Sequence, residues 1–286
     1  MEAGLGCLSR GVQDRRVETS AKGARSGDHI VVQDLVKQFG DTYVLRNLSL
    51  TIPRGETAVI IGGSGAGKTT LLRILIGLEK PSSGHVFIDG IDIARLEGRE
   101  LDKVRKKFGM VFQYSALLDS LTVLDNVAFP LREHTRLKVR EVRDKVLSML
   151  ETLGLQRADA AKMPSELSGG MRKRVALARA LMLEPEIIIY DEPTSGLDPQ
   201  TSRMVDDLIS ETRERFNVTS VVISHDMAST FRIAHRAFLL IRGEMVASGT
   251  PDELADPALN PVAYDFIVAS GVAWDRMSRP PPTRGT

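Results

Sequence analysis

The segment at residues 62–70, which reads G-G-S-G-A-G-K-T-T, constrains the fold of this chain more than any other. It fits the pattern G-x-x-x-x-G-K-[ST]. It lies between a predicted buried strand at residues 57–62 and a predicted buried helix at residues 69–78, the context that a phosphate-binding loop requires. Successive backbone N–H groups in such a loop surround an anion, and small residues let phosphates approach. The segment therefore predicts a nucleotide phosphate site at the end of a buried strand.

Each residue of this phosphate loop is a candidate nucleotide contact. Lys68 is long enough to reach the β- and γ-phosphates, the Thr69 hydroxyl can ligate Mg²⁺, and the Thr70 hydroxyl adds a donor beside it. The sequence thus predicts ATP and Mg²⁺ as ligands of the following residues: Gly62, Gly63, Ser64, Gly65, Ala66, Gly67, Lys68, Thr69 and Thr70.

Short apolar strands alternate with helical patterns along the chain, which predicts an α/β fold. Residues 29–40 and 43–52 have the pattern of an antiparallel pair, and further strands are predicted near Gly90, at residues 107–113, 186–192 and 218–225. Residues 115–182 instead read as mostly helical, and we expect them to form a helical subdomain inserted into the sheet domain. Its clearest helical stripe consists of Val139, Val142, Val146, Met149, Leu150 and Leu153.

Composition limits the classes of function that fit the chain. The 286 residues carry a net charge of +1, so the bulk basic field typical of a nucleic-acid-binding protein is absent. No apolar run approaches the roughly 20 residues that span a bilayer, and the N-terminus lacks the apolar core of a secretory signal. Cys7 is the single cysteine, which fits a reducing compartment. We therefore expect a cytosolic protein whose action on a membrane would need a partner with its own spans.

The ends of the chain differ from its middle in composition. Residues 1–28 are rich in Gly, Ser, Arg and Asp, and we interpret them as a disordered extension. The nucleotide-binding domain is predicted at residues 29–257, where T-P-D-E from Thr250 has the pattern of a capped short helix. Residues 258–286 form a C-terminal tail, whose proline-rich end from Ser278 is not expected to pack.

Polar side chains follow three of the predicted strands. Asp191 and Glu192 end the apolar run I-I-I-Y, His225 follows V-V-I-S, and Gln113 follows G-M-V-F. Strand ends meet the ligand crevice of a parallel sheet. Asp191 therefore fits a carboxylate that holds Mg²⁺ through water, and Glu192 a group that polarises the attacking water. His225 is a candidate partner of the γ-phosphate, and Gln113 a sensor of the metal and the water.

A second glycine-rich helix start, L-S-G-G-M at residues 167–171, lies about 100 residues after the phosphate loop. One anion cannot easily contact two such sites if they belong to different subdomains of one chain. Two copies arranged head to tail solve this, because the phosphate loop of one copy then faces the glycine helix of the other with ATP between them. The sequence therefore predicts a closed dimer with two nucleotides.

Taken together, these motifs resemble those of the ABC ATPases in order and spacing, over roughly residues 29–255. The resemblance implies that Ser168, Gly169 and Gly170 contact the γ-phosphate of the partner's ATP and that Glu192 is the catalytic base. It also implies that Asp198, in S-G-L-D, crosses the dimer seam. Phe39 stands where these ATPases carry an aromatic under the adenine; core packing of Phe39 is the alternative, and Tyr43 is a second candidate for that stacking.

A finer resemblance is to the MlaF-type ATPases of MCE lipid transporters. The usual fifth signature residue, glutamine, is Met171 here, followed by R-K-R-V-A-L-A-R-A, and the stretch N-V-A-F-P-L-R-E-H-T at residues 126–135 is also similar. This resemblance implies phospholipid transport from the cytoplasmic side of the inner membrane through permease subunits of MlaE type. An MCE-domain protein and a small accessory subunit are further implied partners, and the C-terminal tail is implied to brace the dimer.

Two other functions compete with phospholipid transport, and two further classes of ABC ATPase do not fit the sequence. An importer ATPase for amino acids or metal ions would carry the same motifs, and so would a division-type ATPase that transmits force without moving a solute. The chromosome-type members insert a long coiled coil, for which the gap between Thr70 and Leu167 is too short. The translation-linked members carry two ATPase units in one chain, whereas this sequence carries one.

Overall fold

Within residues 27–271, the part of the chain that the computed structural model describes, ten β-strands form two sheets. The strands are β1 (Asp28–Phe39), β2 (Thr42–Pro53), β3 (Thr57–Ile61), β4 (Ser83–Ile88), β5 (Ile91–Asp92), β6 (Phe108–Val111), β7 (Ile187–Asp191), β8 (Thr219–Ser224), β9 (Arg236–Ile241) and β10 (Glu244–Gly249). The predicted α/β class is confirmed.

Nine α-helices are found in the same residues. They are α1 (Lys68–Leu75), α2 (Gly98–Arg105), α3 (Val123–His134), α4 (Val139–Thr152), α5 (Gly169–Leu181), α6 (Pro199–Phe216), α7 (Met227–Ile233), α8 (Pro251–Leu254) and α9 (Pro261–Ala269). None of these helices is long and apolar enough to cross a bilayer.

The smaller sheet is antiparallel and has the order β2-β1-β4-β5. The antiparallel pair predicted from the sequence is confirmed as β1 and β2, whose register places Ile30 opposite Ile52 and Phe39 opposite Thr42. Its buried face contributes Ile30, Leu35, Leu45 and Leu48 to a core shared with α1. This sheet therefore covers one face of the nucleotide-binding part of the molecule.

The larger sheet has the order β10-β9-β3-β8-β7-β6 and is parallel except for β10. All five residues of β3 are buried, because the sheet is covered on both faces. Ala58 and Ile60 belong to the core under the antiparallel sheet, and Val59 and Ile61 belong to the core under the helices. Alternate side chains of the strand that carries the phosphate loop thus pack into two different cores.

The helix that follows the phosphate loop is shorter than predicted. It ends at Leu75, not at Leu78, because Gly77 adopts a left-handed conformation with φ 68°. The Gly77 N–H donates to Ile74 O and the Leu78 N–H donates to Arg73 O, which is the hydrogen-bond pattern of a Schellman helix stop. The expectation that this helix is buried up to Leu78 is wrong, since Leu78 is 63% exposed.

The helices α3, α4 and α5 lie between β6 and β7 in the chain. The predicted stripe packs as expected at Val142, Val146, Leu150 and Leu153, whereas Val139, the first residue of α4, is exposed. These buried residues belong to the same apolar cluster as one face of β3, so the helices share a core with the sheet. The division of this segment into a subdomain of its own stays a prediction.

The C-terminal part of the described chain begins as the sequence indicates. Arg242 and Gly243, both with positive φ, turn β9 into β10, and Thr250 and Glu253 cap α8 reciprocally. Helix α9 packs Ala263 and Ile267 into the core below β10, so the first part of the predicted tail is folded. The extension at residues 1–26 and the proline-rich end from Ser278 lie outside the described residues; Asp28, placed in the extension by the sequence, is the first residue of β1.

A charged cluster joins the antiparallel sheet to the larger one. His29 is buried, and its Nδ1 atom lies 2.6 Å from the Thr219 hydroxyl on β8. Its Nε2 atom lies 3.6 Å from Asp89 and 3.7 Å from Glu186, which are also held by Arg54 and Lys107. Burial lowers the pKa of His29; the two carboxylates oppose this shift and the two basic groups add to it.

We predict that His29 makes folding stability depend on pH near neutrality. Because its pKa is lowered in the folded state, its contribution is fully present above the unfolded-state value of about 6.5 and is lost as pH falls below it. The variant His29→Gln, which cannot gain this proton, should lose less free energy of unfolding between pH 7.5 and pH 5.5 than the wild type in urea titrations.

The matched control is His134→Gln, at an exposed position at the end of α3. It should keep the pH dependence of the wild type. Equal pH dependence of the wild type and His29→Gln would contradict the assignment.

Candidate functional site

The phosphate loop is held by close backbone contacts that require glycine. Gly65 and Gly67 have φ of 75° and 105°, a conformation that other residues rarely adopt. A Cβ atom at Gly67 would lie 2.8 Å from the Leu45 side chain and 3.0 Å from Val44 O on β2. A Cβ atom at Gly62 would lie 2.2 Å from Leu240 O on β9. The loop therefore packs against β2 and β9, and it can do so because Gly62 and Gly67 have no side chain.

Lys68 begins α1, and its side chain folds back over the loop. Its Nζ atom donates hydrogen bonds to Gly62 O at 2.7 Å and to Gly63 O at 3.2 Å. The backbone N–H groups in the first turn of a helix lack helical acceptors and favour an anion. Gly63, Ser64, Gly65 and Thr69 are exposed, Thr70 is partly exposed, and Ala66 is buried. The loop thus presents donors and one cation to an anion of phosphate size.

Glu192 lies between the phosphate-loop lysine and His225. Its Oε2 atom is 2.6 Å from His225 Nδ1 and accepts a hydrogen bond from the His225 backbone N–H at 3.3 Å. Its Oε1 atom is 3.8 Å from Lys68 Nζ. The backbone of Glu192 is left-handed, with φ 48°, and its N–H donates to Ile223 O on the neighbouring strand. The structure therefore brings together three side chains predicted from separate parts of the sequence.

Asp191 ends β7 beside this group. Burial, and secondarily the charge of Glu192, raise the pKa of Asp191, while Lys68 and Arg73 oppose the shift. A carboxylate whose charge is penalised in this way is stabilised by a nearby cation. Together with the exposed Thr69 hydroxyl and the amide of Gln113, Asp191 offers the oxygen ligands that Mg²⁺ prefers, so these residue types fit the metal predicted for them.

Gln113 lies two residues after the end of β6 and is tied to the loop that follows Glu192. Its Nε2 atom donates to the Ser195 hydroxyl at 3.0 Å and lies 3.4 Å from the Tyr114 hydroxyl. Ser195 N–H donates in turn to Glu192 O at 3.2 Å. The structure thus links Gln113 to the Glu192 segment through Ser195. Ser195 is the first residue of the motif S-G-L-D, in which the sequence predicted a role only for Asp198.

The second glycine-rich site is the start of α5. Ser168 caps this helix by accepting a hydrogen bond from the Met171 N–H at 3.3 Å. A Cβ atom added to Gly169 or to Gly170 would meet nothing within 4 Å, so both glycines face open space. The side chain of Met171, which replaces the usual glutamine, packs against the apolar core. The helix start is therefore accessible to a ligand carried by another molecule.

Asp198 has a local role that the sequence analysis did not assign. Its side chain caps α6, accepting hydrogen bonds from the N–H groups of Gln200 and Thr201 at 3.0 Å. The Thr201 hydroxyl also donates to Asp198 at 2.5 Å, and this bond lowers the pKa of Asp198. The dipeptide Asp198-Pro199 could have revealed this cap, because aspartate before a proline is a frequent helix start.

The two aromatic candidates for adenine stacking lie on the hairpin between β1 and β2. Phe39 and Tyr43 are both 49% exposed, so plain core packing of Phe39 is wrong. Lys37 Nζ lies 4.5 Å from the centre of the Phe39 ring, and the Arg46 guanidinium lies 5.9 Å from that of Tyr43. Tyr43 directly precedes Val44, whose carbonyl borders the phosphate loop at Gly67. Both rings remain candidates for the stacking.

Two basic residues of α5 also reach this site, and sequence reasoning missed them. Lys173 Nζ donates to Gln113 O at 2.5 Å, and Arg179 donates to Ser115 O and Ala116 O. For Arg179 the available signal was its place in the otherwise apolar run V-A-L-A-R-A, whereas Lys173 lies in the basic stretch R-K-R just before that run and gave no such signal. A basic residue in an apolar run is expected to need a hydrogen-bond acceptor, but the sequence does not indicate where that acceptor lies.

Comparison with known proteins identifies the class. Residues 45–195 match the ABC transporter family, whose phosphate-loop and signature motifs the structure places as described above, and the chain belongs to this family. It is an ABC-type ATPase subunit that binds ATP. Among its relatives, it is 45% identical to the intermembrane phospholipid transport system ATP-binding protein MlaF of Haemophilus influenzae, over 79% of this chain and 85% of that protein.

Two further similarities are informative. The chain is 41% identical to the probable ribonucleotide transport ATP-binding protein mkl of Mycobacterium tuberculosis, over 87% of this chain and 68% of that protein. Among solved structures, it is similar to the dimeric post-hydrolysis ATP-binding cassette MJ0796 bound to ADP and phosphate. The TM-score is 0.69 and the identity is 36%, over 78% of this chain and 98% of that one.

We predict that Gly62→Ala destabilises the protein by at least about 2 kcal/mol, because its Cβ atom would force β9 away from the loop. Gly63→Ala is the matched control, since a Cβ atom there meets nothing within 4 Å, and its free energy of unfolding should stay within about 0.5 kcal/mol of the wild type. Urea unfolding of the three proteins measures both values. Equal stability of Gly62→Ala and Gly63→Ala would refute the close-contact argument.

Proposed function

We propose that this chain is the ATP-hydrolysing subunit of a phospholipid transporter and acts as a dimer on a separate membrane permease. The observation that carries the proposal is the likeness to MlaF, which extends over most of both chains. The site supports it, because a phosphate loop, a carboxylate and a histidine meet at the ends of neighbouring strands. The place of action that follows is the cytoplasmic side of the inner membrane, as a peripheral subunit.

The chemistry proposed for the site uses side chains that already contact one another. Lys68 binds the β- and γ-phosphates, and the Glu192 carboxylate accepts a proton from the attacking water. His225, 2.6 Å from Glu192, holds that carboxylate and faces the position of the γ-phosphate. Mg²⁺, when bound, neutralises charge on the phosphate oxygens. The residues that would hold it are Thr69 through its hydroxyl, Gln113 through its amide oxygen and Asp191 through water.

The second half of each nucleotide site comes from the partner copy in this proposal. Ser168, Gly169 and Gly170 of one copy contact the γ-phosphate bound at the phosphate loop of the other. The open space around both glycines supports this arrangement, and so does the dimeric form of the similar cassette MJ0796. Asp198 lies at the seam in this arrangement, and the segment from residue 258 onward braces the dimer. The exposed apolar side chains of Val262 and Val268 on α9 favour such a contact.

The permease is proposed to dock on the segment from Gln113 to the end of α3. Tyr114, Leu118 and Phe129 are large apolar side chains that are exposed on this segment, which is typical of a protein–protein contact. Docking there would connect the membrane subunit to Gln113, and so to the Glu192 segment through Ser195. The permease proposed is of MlaE type, with an MCE-domain protein and a small accessory subunit as further partners.

A second candidate function is transport of a ribonucleotide, because relatives 41% identical to the chain bear that name. An importer of amino acids or metal ions and a division-type force-transmitting ATPase carry the same motifs. Co-purification separates these classes: an MCE-type permease supports lipid transport, a solute permease supports import, and a division membrane protein supports force transmission.

We predict that Glu192→Gln, reconstituted with its membrane subunits, lowers both ATP hydrolysis and phospholipid transfer between vesicles by at least about 100-fold, since proton transfer typically contributes 10²–10⁴. Glu211→Gln, an exposed residue on α6, is the matched control and should behave as the wild type. Transfer at the wild-type rate by a Glu192→Gln complex that does not hydrolyse ATP would exclude the proposal.

We also predict that two inactive variants restore each other. Ser168→Arg and Glu192→Gln, each alone, inactivate both sites of a dimer. In a mixed dimer both lesions fall in one site and the other site is intact. Random mixing makes half of the dimers mixed, so about a quarter of the sites should be active if single-site hydrolysis suffices. ATPase measurements on the mixture decide this, and activity no higher than that of the separate variants would argue against sites shared between copies.

A further inference from the structure

Lys173 is a buried lysine on the signature helix α5. It is 8% exposed, and burial lowers its pKa. Its Nζ atom donates to the backbone carbonyl of Gln113 at 2.5 Å. An ammonium group taken out of water loses hydration, so a buried lysine needs hydrogen-bond acceptors within the protein. The contact here is with the residue predicted to sense the metal and the water.

The backbone after Gln113 depends on the same helix. Ser115 and Ala116 have φ of 64° and 44°, so two consecutive non-glycine residues adopt the left-handed conformation. Such residues persist only where surrounding contacts hold them. Arg179, six residues after Lys173 on α5, donates to the carbonyl oxygens of both. Helix α5 therefore holds residues 113–116 through three of their four carbonyl groups, those of Gln113, Ser115 and Ala116.

Helix α5 is thereby connected to both halves of the catalytic apparatus. At its N-terminus, Ser168, Gly169 and Gly170 are accessible to a nucleotide on the partner copy. One turn further, Lys173 holds Gln113, whose side chain reaches Ser195 and hence the Glu192 segment of the same chain. A hydrogen-bonded connection from the signature helix to this chain's own site therefore runs through the Lys173 ammonium.

We propose that Lys173 is a positioning residue for ATP hydrolysis, which sets the orientation of Gln113 and couples it to the signature helix. This inference rests on the proposed function, because it assigns Lys173 a part in that hydrolysis. Helix α5 of each chain serves the nucleotide bound by the partner copy. Through Lys173, the position of α5 would also affect Gln113 in the chain's own site. Lys173 acts through Gln113 and does not contact the nucleotide.

The variant Lys173→Met tests this inference, because it removes the donor and the buried charge together while keeping a long side chain. A role in stability would lower the unfolding temperature of this variant, whereas a role in positioning would lower its kcat. The variant relieves the desolvation of the buried charge but leaves the Gln113 carbonyl without this donor. Because these two effects on stability oppose each other, the unfolding temperature should stay within about 2 °C of the wild type. The kcat for ATP should fall about tenfold or more through misplacement of Gln113, while KM changes less than threefold, since the phosphate loop is untouched.

Two companion variants sharpen the result. Lys173→Arg keeps a cationic donor and should recover at least half of the lost kcat. Lys145→Met removes an exposed lysine on α4, which pairs with Glu184 at 3.5 Å, and should leave kcat and KM unchanged. A kcat of Lys173→Met within twofold of the wild type, or a loss that Lys173→Arg does not relieve, would overturn the inference.

Amide hydrogen exchange of the nucleotide-free chain separates a failure of this inference from a failure of the proposed function. Lys173→Met should raise the exchange rate at residues 113–116 at least fivefold, including the Ser115 N–H that donates to Phe112 O, and Lys145→Met should not. If the wild type hydrolyses ATP and Lys173→Met exchanges at the wild-type rate, the role of Lys173 is overturned while the proposed function stands. A wild type without ATPase activity overturns the proposed function, and with it the role of Lys173 in hydrolysis.

Discussion

The seating of the phosphate loop against two neighbouring strands is the contact on which the rest of the site depends. Gly62 leaves room for the Leu240 carbonyl of β9, and Gly67 leaves room for Val44 on β2. With these contacts the loop bends back far enough for Lys68 to bond the carbonyl oxygens of Gly62 and Gly63. The ammonium group thereby comes within 3.8 Å of Glu192. A side chain at either glycine would shift the cation away from the carboxylate that it faces.

The parallel sheet converts residues far apart in sequence into neighbours. Glu192 follows β7, His225 follows β8, and the phosphate loop follows β3, and these strands are adjacent in the sheet. The same geometry places Gln113, after β6, beside the segment that follows Glu192. Helix α5 carries the signature residues and also holds the backbone at Gln113, so it contacts this group of residues from one side. The residues proposed for hydrolysis and the helix proposed to position Gln113 thus meet at the carboxyl ends of neighbouring strands.

Features encoded locally were predictable from the sequence, and contacts between distant elements were not. The buried strands, the α8 capping box and the hairpin turn follow from runs of apolar residues and short turn motifs, and the structure confirms them. The end of α1 was misplaced because Gly77 stops the helix within an apolar run. The bonds of Gln113 with Ser195 and Lys173 join residues 82 and 60 positions apart, and no local pattern specifies such pairs. For the candidate site, motif positions were therefore predictable, whereas the supporting network was not.

The two-sided burial of β3 has a mechanical consequence. Because its odd and even residues are locked into separate packed layers, the strand under the phosphate loop cannot slide or tilt without disturbing both. We therefore expect the amides of β3 to be among the last in the protein to exchange with solvent. For the same reason, we expect displacements during turnover to arise in the helices outside the larger sheet, while β3 stays in place beneath the bound nucleotide.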